Sequence, residues 1–182
     1  MTFTKLPGRR YEMRVARERG PELAPRNGPG YHDWLPHDAV HFLIEAEAAM
    51  SGGVFGRIAA GRSNMFSPVD PRERRHQARR EAKRVPTASE HADMGRSERL
   101  AGMCVVLWQH RAGQRDTLPG WWTALDWEVP SGPELERILV ALDDFARRWH
   151  ALPTGGAITL TWPDLTRGRP GAGSRSERPL RR

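Results

Sequence analysis

The sequence predicts an α+β fold: a small antiparallel sheet built from N- and C-terminal strands, packed on about three helices. Three observations lead there. Polarity alternates at both ends of the chain, over 11–19 and 157–162, which is the period of a half-buried strand. Between these ends apolar residues recur at helical spacing, most clearly over 135–152. The chain has 182 residues, enough for one sizeable core. Strands at the two ends with helices between them are most simply joined as one sheet covered by helices.

Taken in order, Thr2–Leu6 is a short first strand, and Tyr11, Met13 and Val15 mark the buried side of the second. Residues 20–30 hold three prolines and three glycines and read as a loop. Pro36 opens a helix, since a first turn needs no donor there, and Gly52-Gly53 stops it near Met50. A short helical piece follows over 54–60. The segment 71–86 is compatible with helix but has no apolar face, so it is a basic, solvated excursion. Thr87-Ala88-Ser89-Glu90 has capping-box form and starts a helix to about His110, whose second half, 100–108, is apolar on every side and reads as the central element. Residues 111–130 are loop-rich. Ser131-Gly132-Pro133-Glu134 is a second capping-box pattern, and the helix after it is the best-specified amphipathic one. The domain reading is therefore one globular unit over 1–162 and a disordered basic tail over 163–182, which has little to bury.

The net charge is +7, and basic groups concentrate in 1–30, 72–84 and 163–182. Only Lys5 and Lys83 are lysine among 29 basic residues, a bias that genome composition alone can produce, so the total charge says little about partners. Segments 72–84 and 163–182 are expected to bind polyanions weakly and non-specifically. No apolar run is long enough to span a bilayer. The single cysteine, Cys104, and the want of a signal-like N-terminus lead to an expected cytoplasmic location.

The informative stretch is 36–45. At about 100° per residue, His37, His41 and Glu45 fall within about 80° on one helix face, with Asp38 beside Glu45. Nearly all the remaining positions are apolar. Two imidazoles four residues apart can aim at one divalent ion such as zinc, and a carboxylate can be ligand, orienter or base. His32 precedes the helix and is a weaker additional ligand. One ion cannot take all three helical groups easily, because i to i+8 spans about 12 Å of axis. A further ligand must then come from elsewhere, and His91, His150 and His32 are the first candidates. The competing reading is a solvent-facing or structural polar stripe. The motif Pro36-His37-Asp38-x-x-His41-Phe42-x-x-Glu45 resembles a segment of uncharacterised bacterial proteins; the resemblance covers roughly 11–61 and implies no activity.

Other features read as structural. Cys104 lies in an apolar run where a thiolate is disfavoured. Most of the seven tryptophans suit a core, while Trp121-Trp122 suit a pocket or partner surface. The glycine-rich Gly52-Gly53-Val54-Phe55-Gly56 lacks the lysine of a phosphate loop and reads as a tight helix–helix turn. The leading functional expectation is a helix-borne His/carboxylate site, holding a divalent metal or doing hydrolytic or acid–base chemistry with His37, Asp38, His41 and Glu45. The alternative is a non-enzymatic interaction protein that binds an acidic partner or nucleic acid through its basic segments.

Overall fold

The computed structural model describes residues 1–30, 34–62, 65–124 and 132–164. The architecture is α+β, as the pattern predicts. Strand β1 (Thr2–Leu6) forms an antiparallel hairpin with β2 (Arg10–Arg14). The two-residue β3 (Arg26–Asn27) lines up on the far side of β2, and β4 (Ala157–Thr159) pairs antiparallel with β1. The sheet order is β3-β2-β1-β4, so the two ends of the domain are sewn together at β1. The second strand is shorter than the alternation suggests, because its partner β1 runs out at Thr2. β3 sits within the segment expected to be all loop, held by pairing to Glu12 and Met13.

One face of the sheet is apolar. Phe3, Tyr11, Met13 and Ile158 are buried against the helices. Phe3 meets Phe145 edge-on at 5.9 Å and Phe42 at 6.4 Å. Those rings belong to α5 (Pro133–Ala151) and α1 (His37–Glu47). The remaining helices are α2 (Val54–Ala59), α3 (Pro71–Ala82) and α4 (Ala88–Arg111), with a 3₁₀ turn at Gly120–Ala124.

The central helix is α1. Every residue from Asp38 to Ala46 is buried, and α1 packs on α2, α4 and α5. The 100–108 stretch is one-sided instead: Leu100, Ala101, Met103, Cys104 and Trp108 are buried, while Gly102 is exposed. A stretch of small and apolar residues looked core on all sides, but α1 fills the position between sheet and helices that only one helix can take. The first capping box forms as expected: Thr87 Oγ1 accepts from Glu90 N–H at 3.2 Å, and the Glu90 carboxylate accepts from Thr87 N–H at 3.0 Å. The second does not. Gly132 is the N-cap of α5 with no side-chain cap, and Glu134 pairs with Arg96 across to α4 at 2.6 Å. Ser131 lies outside the described residues, as do His32, Trp127 and 165–182, so the expected tail is described only at Pro163 and Asp164.

At its far end α5 is capped by β1. Lys5 Nζ donates to the carbonyls of Trp149 and Leu152 at 3.0 and 2.9 Å, placing a cation at the negative end of the helix. Among the described residues no helix is long and apolar enough to cross a membrane.

Candidate functional site

The polar stripe of α1 is divided between three tasks. Asp38, in the first turn, is buried and accepts the Tyr11 hydroxyl proton through Oδ2, while its own N–H donates to Tyr11 Oη at 3.2 Å. This reciprocal pair ties the start of α1 to β2. Burial, reinforced by the Asp38 carboxylate, pushes the Tyr11 phenol far above its ordinary range. Asp38 is therefore committed to the fold.

Glu45 is fully buried and faces the start of α2. Its Oε1 accepts from Val54 N–H at 3.0 Å, and its Oε2 accepts from Phe55 N–H at 2.7 Å and Gly56 N–H at 3.3 Å. These are the first free donors of α2, which an anion satisfies best. Ser97 Oγ adds a fourth hydrogen bond to Oε1 at 2.9 Å. The glycine-rich turn is thus an anion cradle of the phosphate-loop kind, filled by the protein's own carboxylate. A Cβ on Gly53 would overlap that carboxylate, which explains glycine there. Burial pushes the Glu45 carboxyl above its usual value, opposed by these hydrogen bonds.

His41 is the third case. Its side chain is 6% exposed, and Nδ1 lies 2.9 Å from Ser97 Oγ. Ser97 already gives its single proton to Glu45, so its oxygen accepts from His41 Nδ1–H. The chain Glu45–Ser97–His41 therefore leaves Nε2 as a bare lone pair. That atom is buried and has no hydrogen-bond partner among the described residues. The Glu98 carboxylate is its neighbour at 3.9 Å, and the His37 ring stands edge-on at 4.6 Å. Burial pushes the imidazole below its ordinary value, His37 adds to that, and Glu98 and Asp38 oppose it. His41 is accordingly neutral at neutral pH. Ser97 is buried with its proton engaged, so the arrangement is not a serine-nucleophile triad.

His37 and His41 border an open cleft of about 1230 Å³ between α1, α4 and the loop after α4. Its walls include Trp34, Leu35, Val40, Val105 and Trp108, with Glu98 and Arg115 among its polar groups. Trp108 is also buried, and its indole N–H has no partner among the described residues. Gly102 opens this wall: nothing lies within 4 Å of where its Cβ would be.

Among the described residues, which leave out the candidate ligand His32, the His, Cys, Asp and Glu positions do not assemble a metal centre. Among the described residues no group of three or more of them is placed to hold an ion. Glu45, expected as a ligand with His37 and His41, points both oxygens at α2, away from a shared ion. The distant histidines do not close the set: His150 stacks on Trp34 at 4.7 Å, and His91 is exposed on the first turns of α4. The groups that do arrive are Ser97 and Glu98. Both were missed in the sequence, although Ser97 precedes Leu100 by three and Cys104 by seven, on the buried stripe of α4. Cys104 is a core residue whose thiol burial pushes up to about 12. Trp122 packs on the core while Trp121 is 47% exposed.

Fold and site together define an α+β protein with a neutral, oriented imidazole at the wall of a cleft of mixed polarity. No protein-family model, curated protein or solved structure matches the chain.

Proposed function

We propose that the chain binds a small molecule in the cleft between α1 and α4 and acts on it by acid–base chemistry, with His41 Nε2 exchanging the proton. The observation that carries this reading is the unpartnered, buried Nε2, whose lone pair is set by the Glu45–Ser97–His41 chain. A buried acceptor left unmade costs stability, and such a cost is retained where a ligand supplies the missing partner. Nε2 is sealed from solvent with the exposed Glu98 side chain 3.9 Å away, so a ligand donor reaches it as that side chain swings aside, and the freed carboxylate can then hold the same donor. Trp34, Leu35 and Trp108 suit an apolar body attached to that donor. Ser97 and Glu45 are positioning residues: they hold the tautomer and touch no ligand. The reading uses the imidazole alone, because among the described residues the donor set around it does not reach the three or four protein ligands of a zinc site.

The test combines histidine nitrogen NMR with a ligand screen. Long-range proton–nitrogen spectra should show His41 protonated on Nδ1. A library of small weak acids, amides and alcohols should contain members that stabilise the wild type and perturb His41 Nε2. Gly102→Trp, which fills the cleft from a position with free space, should abolish both effects. An Nε2-protonated His41, or ligands indifferent to Gly102→Trp, would refute the reading.

A further inference from the structure

Helix α3 poses a question that the cleft does not answer. Not one of its residues is buried, and it lies outside the closely packed helix pairs. A helix polar on all sides normally depends on ion pairs along its surface or bridges other elements. Here the start is capped by Asp70, which accepts from Arg72 N–H at 2.8 Å, with Pro71 in the first turn. Two side chains tether one face to the body: Arg74 donates to Pro68 O at 3.3 Å, and Gln77 donates to Phe66 O at 3.0 Å.

The opposite face is cationic. At about 100° per residue, Arg72, Arg75, His76, Arg79 and the following Lys83 fall within an arc of about 100°, centred roughly opposite Arg74 and Gln77. All five are exposed. Among the described residues no acidic group pairs with the side chains of Arg72, Arg75, Arg79 or Lys83, whereas Arg84, off the stripe, is taken by Glu90. The fold thus spends its nearby carboxylate away from the stripe and points four uncompensated cations at solvent.

We propose that this face of α3 docks on the phosphate backbone of duplex DNA. The charge is complementary, and guanidinium forks suit phosphate oxygens. From Arg72 to Lys83 the helix advances about 16 Å, a length of duplex axis over which each strand carries roughly five phosphates at about 3.4 Å of rise each. A helix enters the major groove of B-form DNA, whereas the deep, narrow major groove of A-form RNA excludes it. The helix carries no Phe, Tyr or Trp on which single-stranded bases would stack. It also has no large apolar residue to insert into a lipid surface. Binding of this kind is backbone-directed and independent of base sequence.

The experiment uses the full chain and a fluorescent 20-base-pair duplex, with anisotropy read across a salt series. The comparison is the quadruple variant Arg72→Gln, Arg75→Gln, Arg79→Gln, Lys83→Gln. Because α3 buries nothing, the variant should keep the melting temperature and circular dichroism of the wild type. The wild type should bind at low salt, and the variant should lower the slope of log K against log salt by about 3–4, at roughly 0.9 per phosphate contact. A variant with the wild-type slope would assign the binding to other basic residues and overturn the proposal. So would no duplex binding at low salt, tighter binding to single strands of equal length, or tighter binding to phosphatidylserine vesicles.

Discussion

Glu45 and His41 lie one helical turn apart, yet burial treats them differently. Glu45 receives four donors, so replacing one oxygen by an amide nitrogen sets N–H against N–H. Glu45→Gln should cost about 1–3 kcal/mol, read from denaturant midpoints. Gly53→Ala should lower stability on its own, since its methyl needs the space that the carboxylate holds. Were Gly53→Ala neutral, the cradle would be looser than its hydrogen bonds imply. His41 makes a pH prediction. Its pKa is lower in the folded chain than the ordinary 6.5, so the unfolded chain binds the proton more readily. The stability this confers is complete above about 6.5 and is lost as pH falls below it. The difference in unfolding free energy between wild type and His41→Gln should therefore shift against the wild type as pH falls from 7 to 5. A pH-independent difference would place the imidazole in water.

At the scale of elements, α4 carries both a cap and a deliberate weakness. Gly102 sits mid-helix with open space around it, and glycine there is less stable than alanine by about 0.5–1 kcal/mol. Gly102→Ala should raise the melting temperature, checked by calorimetry, and an unchanged or lower value would mean the cleft wall is not open. Leu139, on the buried face of α5, should cost about 2–4 kcal/mol as Leu139→Ala, seen as a lower urea midpoint at constant slope. Elements of this kind were legible in the sequence. The periodicity of α5, the Thr87–Glu90 box and the β1–β2 alternation are local patterns, and local patterns survive folding. The partition of the α1 stripe was not legible. That Glu45 would reach α2, Asp38 would reach Tyr11 and His41 would reach Ser97 depends on separations of 10, 27 and 56 residues. A helical wheel reports which residues share a face, but the packing of four elements decides what that face meets. Glu98 was invisible for the same reason: an exposed glutamate on α4 gains meaning only beside a histidine of α1.

At the scale of the molecule, the sheet decides how the parts depend on one another. β1 lies between β2 and β4, and its pairing with β4 joins Thr2 to Thr159. The Met1 amino group donates to Leu160 O at 2.8 Å, and Leu160 N–H donates back to Met1 O. The aromatic layer of Phe3, Phe42, Phe145 and Trp149 is closed by contributions from both ends of the domain. The charge is organised at this scale too. The cleft and the cationic α3 use separate residues, so changes in one should leave the other intact. The α3 quadruple variant should keep the His41 tautomer and the ligand responses of the cleft, and loss of either would show the two regions to be coupled.

The position of β1 has a consequence for biogenesis. While the polypeptide is being made, the β1–β2 hairpin leaves the ribosome before β4, the strand that completes the pairing of β1. At about 5–20 residues per second, the hairpin waits roughly 8–30 s for β4. Throughout that interval the free edge of β1 is open to foreign strands, and Phe3, Tyr11 and Met13 have no finished core to enter. The sheet therefore closes only once β4 has emerged. Nascent chains stalled before 157 should be cut by protease within the first 14 residues, while released chains should resist, and this window is where holdase chaperones would find their substrate.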